Sequence, residues 1–244
     1  MFPNPGCWAW HCRKVFIPAL CAFRRGAFEK VIPSFANLEQ EADDLADAEY
    51  ERLGSMPADG DLFDMGDVAE WANEAGIDYY QTMSDVRQGI LNVLAVGLHH
   101  LFEQQQNFFV AREPLPAGQH RIGFDKRLLS YRIDSSLFPS ASKLRELRTA
   151  ANALKHASTE ANRNLLELRP DLFINPDLRR LDTDEEHLLS SARALAPWAD
   201  RVPMAGDHIY VQDSDLAAWC DAAIEYWETV AETLNEQYGH RSLG

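Results

Sequence analysis

From Asp67 to Arg112 the chain has no proline, and its apolar residues recur at helical spacing: Ile77, Tyr80, Leu94, Leu98 and Leu101 fall on one broad stripe. A stripe of that width belongs to a helix covered by neighbours on several sides. The segment therefore predicts one long central helix, the spine of the protein, with a kink expected near Gly76 or Gly89. Segments around it repeat the pattern. Pro33-Ser34 opens a helix carrying Phe35, Leu38, Ala42, Leu45, Ala46 and Leu53 and ending at Gly54, and SMPADGDLFDMG (55–66) connects it to the spine. EPLPAGQHRIG (113–123) is a loop, and Phe124 to Tyr131 forms a short amphipathic helix.

Pro139-Ser140 starts another helix. Ser140 or Ser142 is placed to cap its free N–H groups, and Leu144, Leu147, Ala151 and Leu154 make its buried stripe. A helix from Ser158 to Leu168 is stopped by RPDLF and Asn175-Pro176. Asp182 to Leu195 is amphipathic, and the β-prone run HIYV (208–211) predicts a short strand or hairpin. Ser214 to Tyr238 closes the chain as a helix with Leu216, Trp219, Cys220, Ala223, Trp227, Val230, Ala231 and Leu234 facing inward. Trp219 and Trp227 serve packing or a dimer surface. The expected fold is thus all-α: a helical bundle with long central helices and a short β-containing insertion near 205–213. Its expected parts are an N-terminal leader and first helix (1–32), a helical core (33–180), and C-terminal helices with the short strand packing on that core (181–244).

A chain of 244 residues with 46% hydrophobic content can bury a sizeable core. No apolar run approaches the roughly 20 residues that span a bilayer. Val15 to Phe23 comes nearest, but Pro18 interrupts it, Arg24 and Arg25 follow at once, and no small-residue cleavage site comes after. A cytoplasmic protein without a membrane partner is expected. The cysteines at 7, 12, 21 and 220 and His11 do not have the spacing of a zinc site, so reduced thiols are expected, with no metal and no cofactor. Acidic residues crowd one face of the 35–53 helix (Glu39, Glu41, Asp43, Asp44, Asp47, Glu49, Glu51), where solvation explains them better than metal binding.

The net charge of −15 argues against broad attraction to a nucleic-acid backbone, so any RNA contact must be local. Basic residues do gather in one third of the chain: Lys126, Arg127, Arg132, Lys143, Arg145, Arg148, Lys155, Arg163 and Arg169. Within that third, LRELRTAANALKHASTEANRNLLELRPDLF (144–173) sets Arg148, Asn152 and His156 at four-residue steps. Such steps drift only about 40° around a helix, so guanidinium, amide and imidazole can converge on one phosphate. In GLHHLFEQQ (97–105), His99, His100 and Glu103 lie in apolar company. A buried polar group left unpaired there costs on the order of 1–3 kcal/mol. These histidines are either satisfied within the core or line the same cavity as His156.

A long helix followed by one ending in NALKH resembles the HEPN superfamily, small all-α domains found in bacterial toxin–antitoxin and phage-defence systems, many of them metal-independent RNases acting as dimers. The family motif is an Arg, a following polar residue that is often Asn, and a His. Asn152 and His156 match its N-x3-H portion. Arg148 stands with seven residues between it and His156, where the family has about four to six. The likeness spans residues 66 to 170. It implies attack of a ribose 2′-hydroxyl on the adjacent phosphate, leaving a cyclic phosphate without a metal. His156 would be general base or acid, because imidazole titrates near neutrality. Arg148, helped by Lys155, would stabilise transition-state charge, and Asn152 would orient the histidine or hold a phosphate oxygen. Arg145, Lys155 and His100 are the expected substrate-binding residues. Two copies would complete one site across a dimer axis, so the expected partners are RNA and a second copy or another protein. The rival reading is a non-catalytic helical interaction or adaptor module. Small-molecule chemistry lacks its usual marks: the chain has no Gly-rich phosphate loop, no G-x-S-x-G and no H-E-x-x-H.

Overall fold

The computed structural model of the protein describes residues 5–56, 64–112, 123–156, 159–176 and 208–238. Every regular element among them is helical. In chain order these are α1 (Pro5–His11), α2 (Ile17–Gly26), α3 (Leu38–Gly54), α4 (Met65–Arg112), α5 (Phe124–Ser130), α6 (Ala141–His156), α7 (Thr159–Leu168) and α8 (Asp213–Tyr238). Wide π-type turns occupy Cys12–Phe16 and Ala27–Val31. Each stands two residues before a proline, Pro18 or Pro33, which cannot donate the backbone bond that regular α-geometry requires. None of the described helices is long and apolar enough to cross a membrane.

The described residues fall into two compact units, one from 27–90 and one from 1–26 together with 91–244, and α4 contributes to both. In the first, α3 meets the N-terminal part of α4. Gly76 permits the approach: a Cβ there would stand 2.8 Å from the Ala42 carbonyl oxygen and 3.1 Å from the Ala46 Cβ. The glycine that suggested a kink therefore serves close packing inside an unbroken helix. Leu38, Ala42, Val68 and Ala72 are buried in this unit, and the Tyr79 hydroxyl donates to Glu41 over 2.8 Å. Acidic residues 39, 41, 43, 44, 47 and 51 face solvent.

The larger unit is organised on α8. All eight residues expected to face inward there are buried, and α8 packs against α1, α2, the Cys12–Phe16 turn and α6. The N-terminal segment is part of this core. Trp8 is fully buried with its ring 4.3 Å from that of Phe109, and Phe16 lies 4.7 Å from Trp227. α5 ends in a left-handed turn with Arg132 at φ 58°, closed by a hydrogen bond from the Ile133 N–H to the Leu128 carbonyl.

No strand forms at His208–Val211, which corrects the expected β-containing insertion near 205–213; residues 205–207 lie outside the described ones. Ile209 and Val211 are fully buried, as alternation implies, but no second strand lies beside them among the described residues. Their backbone is satisfied otherwise. The Tyr210 N–H donates to the Leu172 carbonyl and the Asn92 side chain donates to the Ile209 carbonyl. A β-prone run builds a ladder only beside a second strand. The amphipathic run 182–195 also lies outside the described residues.

Arg169 ties α6 and α8 to the turn Pro170–Phe173. Its guanidinium donates to Asp171 over 2.8 and 2.6 Å, to Glu146 of α6 over 2.8 Å and to Asp215 of α8 over 2.7 Å. Hydrogen bonding to Asp171 and Asp215 raises its pKa still further. α6 itself buries Leu147, Ala150, Ala151 and Ala153, with Leu144 and Leu154 half-buried. Of the two expected caps, Ser140 or Ser142, the Ser140 hydroxyl is buried with no hydrogen-bond partner among the described residues, and the Ser140 carbonyl accepts from the Leu144 N–H.

Candidate functional site

With its alanine stripe turned into the core, α6 leaves a polar edge exposed. Arg148, Asn152 and His156 line one open pocket of about 360 Å³, together with Thr149 and with Glu160, Ala161 and Asn164 of α7. Arg148 and His156 are exposed and Asn152 is half-buried. The four-residue spacing thus brings the triplet to a single depression between two helices, over a span of about 12 Å at 1.5 Å rise per residue.

On its other side Arg148 borders a larger cleft of about 590 Å³. α6 supplies Leu144, Arg145, Leu147 and Arg148; α4 supplies His99, Phe102 and Glu103; Phe124, Asp125, Ser135 and Tyr226 close the remaining walls. Arg148 is common to both depressions. His99 is 8% exposed, and its Nδ1 has no hydrogen-bond partner among the described residues. Burial lowers its pKa, and Lys155, Arg148 and His100 push the same way against Glu103, so the ring stays neutral. His99 shares the larger cleft with Arg145, Leu147 and Arg148 of α6. His100 is exposed, pairs with Gln104 at 2.9 Å and lines neither depression. Lys155 is exposed and lines neither.

Ion pairing around α6 is one-sided. Lys143 and Arg169 converge on Glu146, whereas Arg145, Arg148, Lys155 and His156 have no side-chain hydrogen bond or ion pair among the described residues. On a chain of net charge −15, the Arg145, Arg148 and Lys155 charges, without carboxylate partners among the described residues, are available to an external anion. Arg127, counted in the basic cluster, is instead buried on the inner side of α5.

Several cleft residues escaped the sequence reading. Asp134 accepts from the Ser136 N–H over 3.1 Å and its hydroxyl over 2.6 Å, and the Ser135 hydroxyl donates to Asp125 over 3.0 Å. This Asp-Ser-Ser turn follows the left-handed Arg132, and its chain signal, an Asp two residues before a Ser, is too common to single out a site. Burial raises the Tyr226 pKa, opposed by a hydrogen bond with Ser135, so the phenol stays protonated. Tyr226 could not be told from the rest of the α8 core stripe. Comparison of the chain with family models, with curated proteins and with solved structures gives no match.

Proposed function

We propose that this is a HEPN-like helical protein that cleaves RNA without a metal, at the pocket lined by Arg148, Asn152 and His156. The observation that carries the reading is the meeting of a guanidinium that has no carboxylate partner among the described residues, an amide and an exposed imidazole in one solvent-open depression on an otherwise acidic chain. A phosphodiester seated on Arg148 has its developing negative charge balanced as the 2′-oxygen attacks. His156 exchanges the proton of the attacking or leaving oxygen, and Asn152 holds a phosphate oxygen or the ring. Arg145 and Lys155 extend the positive edge along α6, a second copy of the chain completes the site, and the resemblance implies a place in a bacterial defence or toxin–antitoxin system.

The test is cleavage of total RNA and tRNA by the purified chain in EDTA, beside His156→Ala and Arg148→Gln. The expected result is a cyclic-phosphate product whose rate falls about 10²–10⁴-fold without the imidazole and about 10²–10³-fold without the guanidinium. Equal cleavage by wild type and His156→Ala refutes the assignment. A second reading, the non-catalytic adaptor, draws on Leu129, which lines the cleft and is 52% exposed, and on Leu137, which follows the cleft-lining Ser136 in sequence and is 79% exposed. That reading predicts no cleavage by either protein.

A further inference from the structure

The larger cleft has a composition that the phosphate pocket does not account for. Phe102, Phe124 and Tyr226 form an aromatic cluster, with Phe102 and Phe124 lying 5.2 and 6.3 Å from Tyr226 between ring centroids. All three line the cleft. Its polar groups are divided by wall. Arg145 and Arg148 stand on α6, while His99 and Glu103 stand four residues apart on α4, and so on one helix face. Asp125 and Asp134 each accept from Ser135 or Ser136 through one carboxylate oxygen, whereas Glu103, 4.0 Å from the His100 ring, accepts no hydrogen bond among the described residues and is an acceptor open to a ligand.

Resting on the reading of α6 as an RNA-phosphate edge, we propose that this cleft holds the nucleoside beside the phosphate on Arg148, and that His99 and Glu103 select a base bearing an exocyclic amino group. A neutral imidazole offers a ring N–H and a carboxylate offers only acceptors. Cytosine presents an amino donor next to the N3 acceptor, and adenine presents an amino donor next to N1; either edge complements Glu103 and His99 together. Uracil presents O4 and N3–H, the reverse order, and so sets an acceptor against the carboxylate. Burial and the flanking Lys155, Arg148 and His100 outweigh Glu103 in keeping His99 neutral, in agreement with its donor–acceptor role. The cleft volume of about 590 Å³ falls within the usual range of small-ligand sites, about 300–1,000 Å³.

The test uses the full chain, with cytidine 3′-monophosphate, uridine 3′-monophosphate and inorganic phosphate as probes. Dissociation constants are measured, and the imidazole NMR signals of His99 and His156 are followed after assignment with His99→Asn and His156→Asn. The cytidine nucleotide is expected to bind about tenfold tighter than the uridine nucleotide, the order of one charge-assisted hydrogen bond, and to move the His99 signal. Glu103→Gln, at an exposed position, is expected to abolish the preference, and Arg145→Gln to weaken both nucleotides alike. Equal affinities with an unmoved His99 signal, while phosphate moves His156, would overturn the cleft proposal and leave the phosphate pocket standing. A cytidine preference that moves His99 in a chain that cleaves no RNA supports the cleft and refutes the cleavage reading. No binding of any probe overturns both.

Discussion

Replacing Arg169 by methionine tests how α6 is held in place. The guanidinium makes hydrogen bonds to three carboxylates from three different parts of the larger unit, and its side chain is 15% exposed, beside Glu146 at 13% and Asp215 at 12%. Removing one member of a buried ion cluster costs about 3–5 kcal/mol, mostly because the partners are left charged and dry. Two of the partners keep some compensation here. Glu146 retains Lys143 at 2.9 Å and Asp215 retains the Gln212 N–H at 3.1 Å, and Asp171 is more open to water. The lower end of that range applies, about 3 kcal/mol, or roughly a hundredfold in the folding equilibrium. In urea unfolding followed by tryptophan fluorescence, a slope of about 2 kcal/mol/M converts this to a midpoint shift of about 1.5 M. The reporters are apt, because Trp219 and Trp227 are fully buried in α8. If stranded charge is the cause, adding Glu146→Gln and Asp215→Asn to Arg169→Met should restore at least half the loss. A shift below about 0.5 M for Arg169→Met would refute the argument that this cluster fastens α6 to α8.

The two glycines of α4 should behave oppositely in the same assay. Gly76→Ala drives a Cβ against the Ala42 backbone oxygen and is expected to cost about 1–3 kcal/mol, whereas Gly89→Ala meets nothing within 4 Å and should stabilise by about 0.5–1 kcal/mol; equal effects would show that α3 does not approach at Gly76. Asn162 is 1% exposed with both amide atoms unpartnered among the described residues, so Asn162→Leu should raise stability by about 1–2 kcal/mol, and a loss would mean that the amide has a partner. Stability should also fall as pH drops below about 6.5, the ordinary histidine value, because the unfolded chain takes up protons that native His99 and His11 resist through burial. His99→Phe should flatten that fall, and an unchanged pH profile in this variant would show that His99 is not the group held neutral.

The helices could be read from the chain because their signal is local. Apolar residues at 3.6-residue spacing marked α4, α6 and α8, and the inward face of α8 from Leu216 to Leu234 came directly from that period. The triplet was legible for the same reason: any helix carrying positions 148, 152 and 156 must place them on one face. Local pattern misled where the outcome depended on a partner. HIYV has the composition of a strand, yet with no second strand beside it among the described residues it is irregular backbone whose two apolar residues are simply buried. Gly76 looked like a kink because a glycine's reason for being in a helix lies on the other helix, at Ala42.

The amino-acid sequence alone therefore determined the all-α class, the buried face of the last helix and the alignment of Arg148, Asn152 and His156, since each follows from rotation per residue along one helix. Only the tertiary structure decided that Arg145, Arg148, Lys155 and His156 have no carboxylate partners among the described residues while Arg169 takes three, and that His99 rather than His100 faces the cleft shared with Arg148. The physical reason is that pairing, burial and the shift of a pKa are set by groups distant in the chain, and neighbouring histidines on one helix differ by 100° of rotation, which only a packed neighbour turns into the difference between core and solvent.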